Sequence, residues 1–153
     1  GTLGLEVADE LDCDTVLVAV GGGGLVGGIA AALPGKRVVA VEPSSCPTLR
    51  AALDNGGPVD VTVGGVAADS LGARRLGDIP YSIVASRGVE SLLVDDAAIV
   101  EARRRLWEDF RVVVEHGTAA AYAALTSGVY VPRDGERVVV LLCGANTNPA
   151  DLA

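Results

Sequence analysis

The stretch VLVAVGGGGLVGGIAAAL, Val16 to Leu33, carries no charged or hydrogen-bonding side chain, and six of its residues are glycine, four of them consecutive. Its length admits a membrane helix, and Gly24 and Gly28 have the spacing of closely packed membrane helices. Gly21 to Gly24 would interrupt such a helix at about 1 kcal/mol each relative to alanine, and Pro34-Gly35 closes the run. A strand, a turn and a helix account for it better. Thr15 to Val20 suits a buried parallel strand, and Leu25 to Leu33 suits a buried helix. A bare turn needs one or two glycines. Four lose extra chain entropy on folding and let the backbone approach a ligand closely. Their N–H groups and the helix N-terminus together form an anion site, most often for phosphate.

At 153 residues the chain is about one domain long, half of it is apolar, and its net charge is −8. This excludes disorder and argues against a general nucleic-acid or anionic-membrane surface. Cys13, Cys46 and Cys143 form no C-x-x-C pair and no even framework, which points to a reducing, cytoplasmic setting. No signal peptide is expected. GTLGLEVADEL reads as a helix from its first residues, as in a piece of something longer.

Helices are expected over Leu3–Leu11, Leu25–Leu33 and Pro47–Leu53, with Pro47 in the first turn. Strands are expected over Val16–Val20, Arg37–Glu42, Ser91–Val94 and RVVVLL near the end, and 61–80 reads mostly as loop. VDDAAIVEARRRLWEDF is the clearest helix. Asp95 and Asp96 suit its start, Ile99, Ala102, Leu106 and Phe110 share one face, and Glu101 pairs with Arg105 on another. Thr118–Leu125 is a further, alanine-rich helix. The alternation predicts a parallel α/β sheet covered by helices on both faces, in three layers. Ligands of such sheets sit beyond the carboxyl ends of the strands. The residues there are Gly21 to Gly24, Glu42 with its turn, and Cys143-Gly144-Ala145-Asn146.

Two cofactors fit the loop. Gly22-x-Gly24-x-x-Gly27 satisfies the dinucleotide pattern G-x-G-x-x-G, and Glu42 lies about 20 residues on, where a ribose-binding acid belongs. That reading leaves Gly21, Gly23 and the Cys143 turn unexplained. The second candidate is pyridoxal phosphate. GTLGLE resembles G-T-[I]-x-x-E, VGGGGLVGGIAAAL a tetraglycine phosphate loop with its helix, and VAVEPSS a V-x-V-E-P strand. VAADSLGARRLG resembles an A-D-G/S-L segment, VVVEHGTAAAYAAL the pattern V-x-x-E-P-x-G-A-A-x-x-A-x-L, and VVVLLCGANTN the pattern V-V-V-x-[SC]-G-G-N. In this order, over nearly the whole chain, they resemble the second half of the catalytic domain of serine/threonine dehydratases, fold-type-II pyridoxal-phosphate enzymes.

The resemblance implies part of the large domain of a tryptophan-synthase-β-like fold, and a homo-oligomer in the intact protein. It implies that Gly21, Gly22, Gly23, Gly24 and Leu25 wrap the cofactor phosphate, that Cys143 faces the pyridine nitrogen with Asn146 nearby, and that Glu115 is the active-site glutamate. His116-Gly117-Thr118 replaces a proline-containing run there, and His116, the only histidine, receives no role. Cys143 otherwise reads as a small buried residue at a strand end. A monovalent cation such as potassium is implied at Glu42, Cys46, Thr48, Leu71 and Ala73. With Thr48 a hydroxyl and one carboxylate in the set, magnesium fits less well. Glu42 otherwise caps a helix or pairs with an arginine.

The single lysine, Lys36, precedes the second strand and so lies at the amino edge of the sheet, away from the glycines. The family's aldimine lysine, its asparagine loop and its small domain have no counterpart in these residues. The implied activity of the parent is β-elimination on L-threonine or L-serine, giving a 2-oxo acid and ammonia, with this chain inactive alone. A racemase or diaminopropionate lyase, a nicotinamide oxidoreductase domain, and a non-catalytic remnant binding a phosphate ligand stay open.

Overall fold

The computed structural model describes residues 1–152. Four parallel strands, β1 (Thr15–Ala19), β2 (Arg37–Pro43), β3 (Glu90–Val94) and β4 (Val138–Val140), form one sheet in the order β3-β2-β1-β4. Val16 pairs with Val38 on one side and Val139 on the other. Helices connect the strands: α1 (Thr2–Glu10), α2 (Gly24–Ala32), α3 (Thr48–Asn55), α4 (Ala68–Leu71), α5 (Asp78–Arg87), α6 (Asp96–Phe110) and α7 (His116–Thr126). A 3₁₀ turn, Pro149–Leu152, follows β4.

Strand pleating divides the core in two. Val16, Val18, Val20, Val38 and Ala40 face a cluster that includes Val7 of α1, Ile29 of α2 and Val84 of α5. Leu17, Ala19, Val39 and Val41 face the other cluster, with Ile99 and Leu106 of α6 and the alanines of α7. The expected three-layer parallel α/β architecture is therefore present. The apolar run that opened the sequence analysis is β1, a glycine turn and α2. Among the described residues no helix is long and apolar enough to cross a membrane.

Local signals placed most elements. Asp95 is the N-cap of α6 and accepts the Ala98 N–H at 2.7 Å, and Glu101 pairs with Arg105 at 3.1 Å. Two expectations are corrected. Phe110 is 60% exposed, although it continues the stripe of Ile99, Ala102 and Leu106, because Arg111 adopts a left-handed conformation and ends the helix there. Pro47 is the N-cap of α3 rather than part of its first turn. The segment 61–80 is mostly loop, as expected, and carries only the short α4 and the start of α5. α5 escapes sequence reading because Ile79 faces solvent while only Val84 is fully enclosed, so no apolar stripe forms. Its Pro80 stands in the first turn, where a missing N–H costs nothing.

α1 reaches α2 through Gly4. A Cβ there would lie 2.7 Å from Ala32 Cβ and 3.2 Å from Ile29 Cα. Gly4→Ala gains about 1 kcal/mol of helix propensity, but the colliding groups are a methyl and backbone that cannot swing aside, and overpacking costs about 1–3 kcal/mol. Urea denaturation should therefore show Gly4→Ala less stable than the parent sequence.

Candidate functional site

The site forms at the carboxyl edge of the sheet, where β1 hands the chain to α2. Gly23, the N-cap of α2, has φ +87°, a conformation strained for any L side chain. A Cβ there would also stand 2.6 Å from Leu76 Cδ1 and 2.9 Å from Pro80 Cβ. No side chain caps α2. The first bond of the helix runs from Gly27 N–H to the Gly23 carbonyl at 2.9 Å, which leaves the N–H groups of Gly24, Leu25 and Val26 without helical partners. Among the described residues, no acceptor takes the N–H of Gly21, Gly22 or Gly23. Gly22 and Gly24 are exposed, and nothing stands within 4 Å of a Cβ built on Gly24. The donor set and the open space suit a phosphate group.

These donors border a cavity of about 220 Å³. Gly21 to Val26 form one wall, and Glu115, Gly117, Thr118 and Cys143 form the other, with Ser70 and Leu71 of α4 between them. Glu115 is half-buried at the N-cap of α7, and its N–H donates to the Gly144 carbonyl at 3.3 Å. Cys143 is exposed to the cavity rather than packed in the core, with its sulfur 3.8 Å from Thr118 Oγ1. The tetraglycine run, Leu25, Glu115 and Cys143 thus line one cavity. Asn146 is exposed and lies outside the cavity lining. Lys36 lies at the opposite edge, beside a separate cavity of about 390 Å³ that also touches Arg87 and Glu90.

Sequence reasoning missed Ser70, Gly117 and Thr118 as lining residues. A Cβ on Gly117 would collide with Ser70 Oγ and lie 2.8 Å from Leu71 Cγ, so the glycine makes room for the α4 side chains. The departure from the proline-containing run at 116–118 was the available signal. Burial and the nearby Arg103 charge both push the His116 imidazole below its ordinary value.

Glu42 stands at the end of β2 but turns away from the cavity. Fully buried, it accepts the N–H groups of Leu49 at 2.6 Å and Arg50 at 2.9 Å, and so caps α3. Enclosed under α3 and absent from the cavity lining, the carboxylate is not placed to grip a ribose there, which removes the main support for the dinucleotide reading. Burial pushes its carboxyl up to about 7, against the opposing pull of those two N–H groups and of Arg50. Thr48 Oγ1 donates to the Ala73 carbonyl at 2.6 Å, the Leu71 carbonyl accepts the Ala73 N–H at 2.9 Å, and the Cys46 carbonyl accepts the Thr48 N–H at 3.0 Å. Thr48, Cys46, Leu71 and Ala73 are thus linked by hydrogen bonds, and Thr48 adjoins the Leu49 N–H held by Glu42. Among the described residues no cluster of three His, Cys, Asp or Glu side chains could hold a metal. A cation at Glu42 would rest on one carboxylate and neutral oxygens.

The fold is thus a parallel α/β sheet covered on both faces, with an uncapped glycine turn and a thiol lining one cavity. Residues 1–144 match the family described as pyridoxal-phosphate dependent enzyme, and the chain belongs to that family. It is 37% identical to the L-threonine dehydratase biosynthetic IlvA of Escherichia coli (strain K12), over 97% of this chain and 30% of that protein. It is 35% identical to the phenylserine dehydratase of Ralstonia pickettii, over 99% of this chain and 48% of that protein. The crystal structure of a T.th. threonine deaminase superposes with a TM-score of 0.86 at 30% identity, covering 96% of this chain and 50% of that one. The chain thus spans a third to a half of the length of these relatives.

The raised Glu42 value makes stability depend on pH. The unfolded carboxyl titrates near 4.5 and the folded one at about 7, so the folded state holds the proton more tightly. The stabilisation is complete below 4.5 and is lost as pH rises to 7, up to about 3 kcal/mol in all. In choline chloride, the stability of the parent sequence relative to Glu42→Gln should fall across that window and level off above it. Urea midpoints at a series of pH values measure this.

Proposed function

We propose that this chain is part of a pyridoxal-phosphate-dependent carbon–nitrogen lyase that acts on L-threonine or L-serine and yields a 2-oxo acid and ammonia. The observation that carries the reading is the convergence of free N–H donors from Gly21 to Val26 with Cys143 and Glu115 on one cavity. Backbone donors hold a phosphate without titrating, and the N-terminus of α2 adds partial positive charge. When bound, pyridoxal phosphate supplies the electron sink for charge developing at the substrate α-carbon. Cys143 would hold the ring nitrogen of that group through its thiol. It offers a hydrogen bond there but, unlike a carboxylate, no negative charge to hold a proton on that nitrogen. A thiol rather than a carboxylate at this position would thereby favour elimination over transamination. Glu115 adds a carboxylate on the same wall, placed to orient a donor of the bound ligand.

A monovalent cation beside Glu42, Cys46, Thr48, Leu71 and Ala73 is a second element of the proposal. Its support is a buried carboxylate next to the Thr48 hydroxyl and the Ala73 carbonyl. A higher melting temperature in potassium chloride than in choline chloride, abolished in Glu42→Gln, is the expected sign.

The chain's one lysine lies at the far edge of the sheet, so these residues supply no amine to carry the cofactor. Calorimetry should show pyridoxal phosphate binding to the chain, at least tenfold weaker in Gly23→Ala, with no NAD binding and no 2-oxo acid formed from threonine. NAD binding without pyridoxal phosphate binding would refute the reading.

In the full-length protein, Cys143→Ser should keep much of the elimination activity. Cys143→Asp should lose most of it and raise the ratio of pyridoxamine phosphate to 2-oxo acid. A folded, cofactor-loaded Cys143→Asp with an unchanged ratio would take the thiol out of the site.

A further inference from the structure

Three arginines in a row, Arg103 to Arg105, have different surroundings. Arg104 and Arg105 stand in solvent and pair with Glu101 and Glu108 along α6. Arg103 points inward and is 3% exposed. Its Nε donates to the Val114 carbonyl at 2.8 Å. Nη1 and Nη2 donate to the two carboxylate oxygens of Asp151 at 2.8 and 3.0 Å, and Nη2 also donates to Thr147 Oγ1 at 3.1 Å and the Asn148 carbonyl at 3.3 Å. A planar fork serves this set, and a lysine would satisfy only part of it. The guanidinium also holds the Asp151 carboxyl below its ordinary value. Only the arginine end of the pair is buried, and Asp151 is 58% exposed, so the guanidinium is fixed inside the protein while its carboxylate partner reaches it from the surface.

The two segments that Arg103 joins carry neighbouring residues of the candidate site. Val114 precedes Glu115, and Thr147 follows shortly after Cys143 and Gly144. Between those segments runs a backbone bond, from Glu115 N–H to the Gly144 carbonyl, at a long 3.3 Å. They pass so closely that a Cβ on Gly144 would overlap the Glu115 carboxylate. A weak bond at a tight crossing needs a second tie to hold its spacing, and Arg103 provides one beside it.

We propose that Arg103 is a positioning residue of the site: its guanidinium clamps the Val114–Glu115 segment to Thr147–Asp151 and thereby sets the spacing of Glu115 and Cys143 along one wall of the cavity. The clamp itself stands on these contacts. Its effect on a bound cofactor rests on the function proposed above.

Native-state hydrogen exchange tests the clamp directly. In Asp151→Asn and in Arg103→Met the Glu115 amide should exchange at least tenfold faster, while the Leu17 and Val39 amides in β1 and β2 keep their protection. Arg103→Lys should recover part of the loss, and Arg104→Gln should change nothing. Asp151→Asn keeps the Arg103 side chain in place and decides the matter if Arg103→Met fails to fold. An unchanged Glu115 amide in Asp151→Asn would overturn the proposal. So would an equal loss of protection across β1 and β2, which would make the pair a general stabiliser.

In the full-length protein loaded with pyridoxal phosphate, Asp151→Asn should also shift the emission maximum of the cofactor and lower kcat more than it alters KM. A faster Glu115 amide with an unmoved emission would overturn the link from clamp to site. Failure of the full-length protein to bind pyridoxal phosphate would overturn the cofactor reading instead, and the exchange result would still decide the clamp.

Discussion

The free N–H groups at the start of α2 are the constraint on which the rest of the structure depends. They lie at the end of the central strand β1, whose residues are buried on both faces. Buried donors without acceptors are costly, and donors open to a cavity are not. The fold keeps them open. Leu76 and Pro80 fill the space behind Gly23, and Pro80 packs so closely on α2 that a Cβ on Gly27 would lie 3.2 Å from its Cα. α5, unremarkable as sequence, thus supports the loop from behind and leaves its front to a ligand.

The two edges of the sheet are treated in opposite ways. At the amino edge, Glu136 accepts the hydroxyls of Thr15 at 2.5 Å and Tyr130 at 2.6 Å, and the Arg133 N–H at 2.8 Å. These donors, Thr15 foremost, hold its carboxyl down at about 2. Arg37 lies over the Tyr130 ring at 5.3 Å and bonds Glu90 at 2.5 Å. The amino ends of β1, β2 and β3 and the approach to β4 are therefore tied by one charged network. At the carboxyl edge, polar groups either face the cavity or, like Glu42, are spent on a neighbouring helix.

Several features were legible because they are local. The glycine run between two apolar segments identifies a strand, a turn and a helix whatever surrounds them. Asp95 declares the start of α6, and Glu101 and Arg105 meet because helical geometry places them together. The thiol at the exit of β4 is foreshadowed by its place in the chain, since parallel strands deliver their following residues to one edge.

Other features depend on contacts distant in sequence. Phe110 and Ile99 share a helical stripe, yet only Ile99 meets the sheet. Glu42 resembles a ribose acid until α3 is seen to take both its oxygens. Three consecutive arginines look alike until α7 and the tail enclose one of them. Sequence alone determined the chain's strands, its glycine turn and its family, because these follow from neighbours along the chain and from motifs in order. Tertiary structure alone decided which polar side chains were consumed inside the protein and which remained for a ligand. A hydrogen-bonding group has a few bonds to give, and its partners can lie far along the chain, 48 residues away for Arg103 and Asp151.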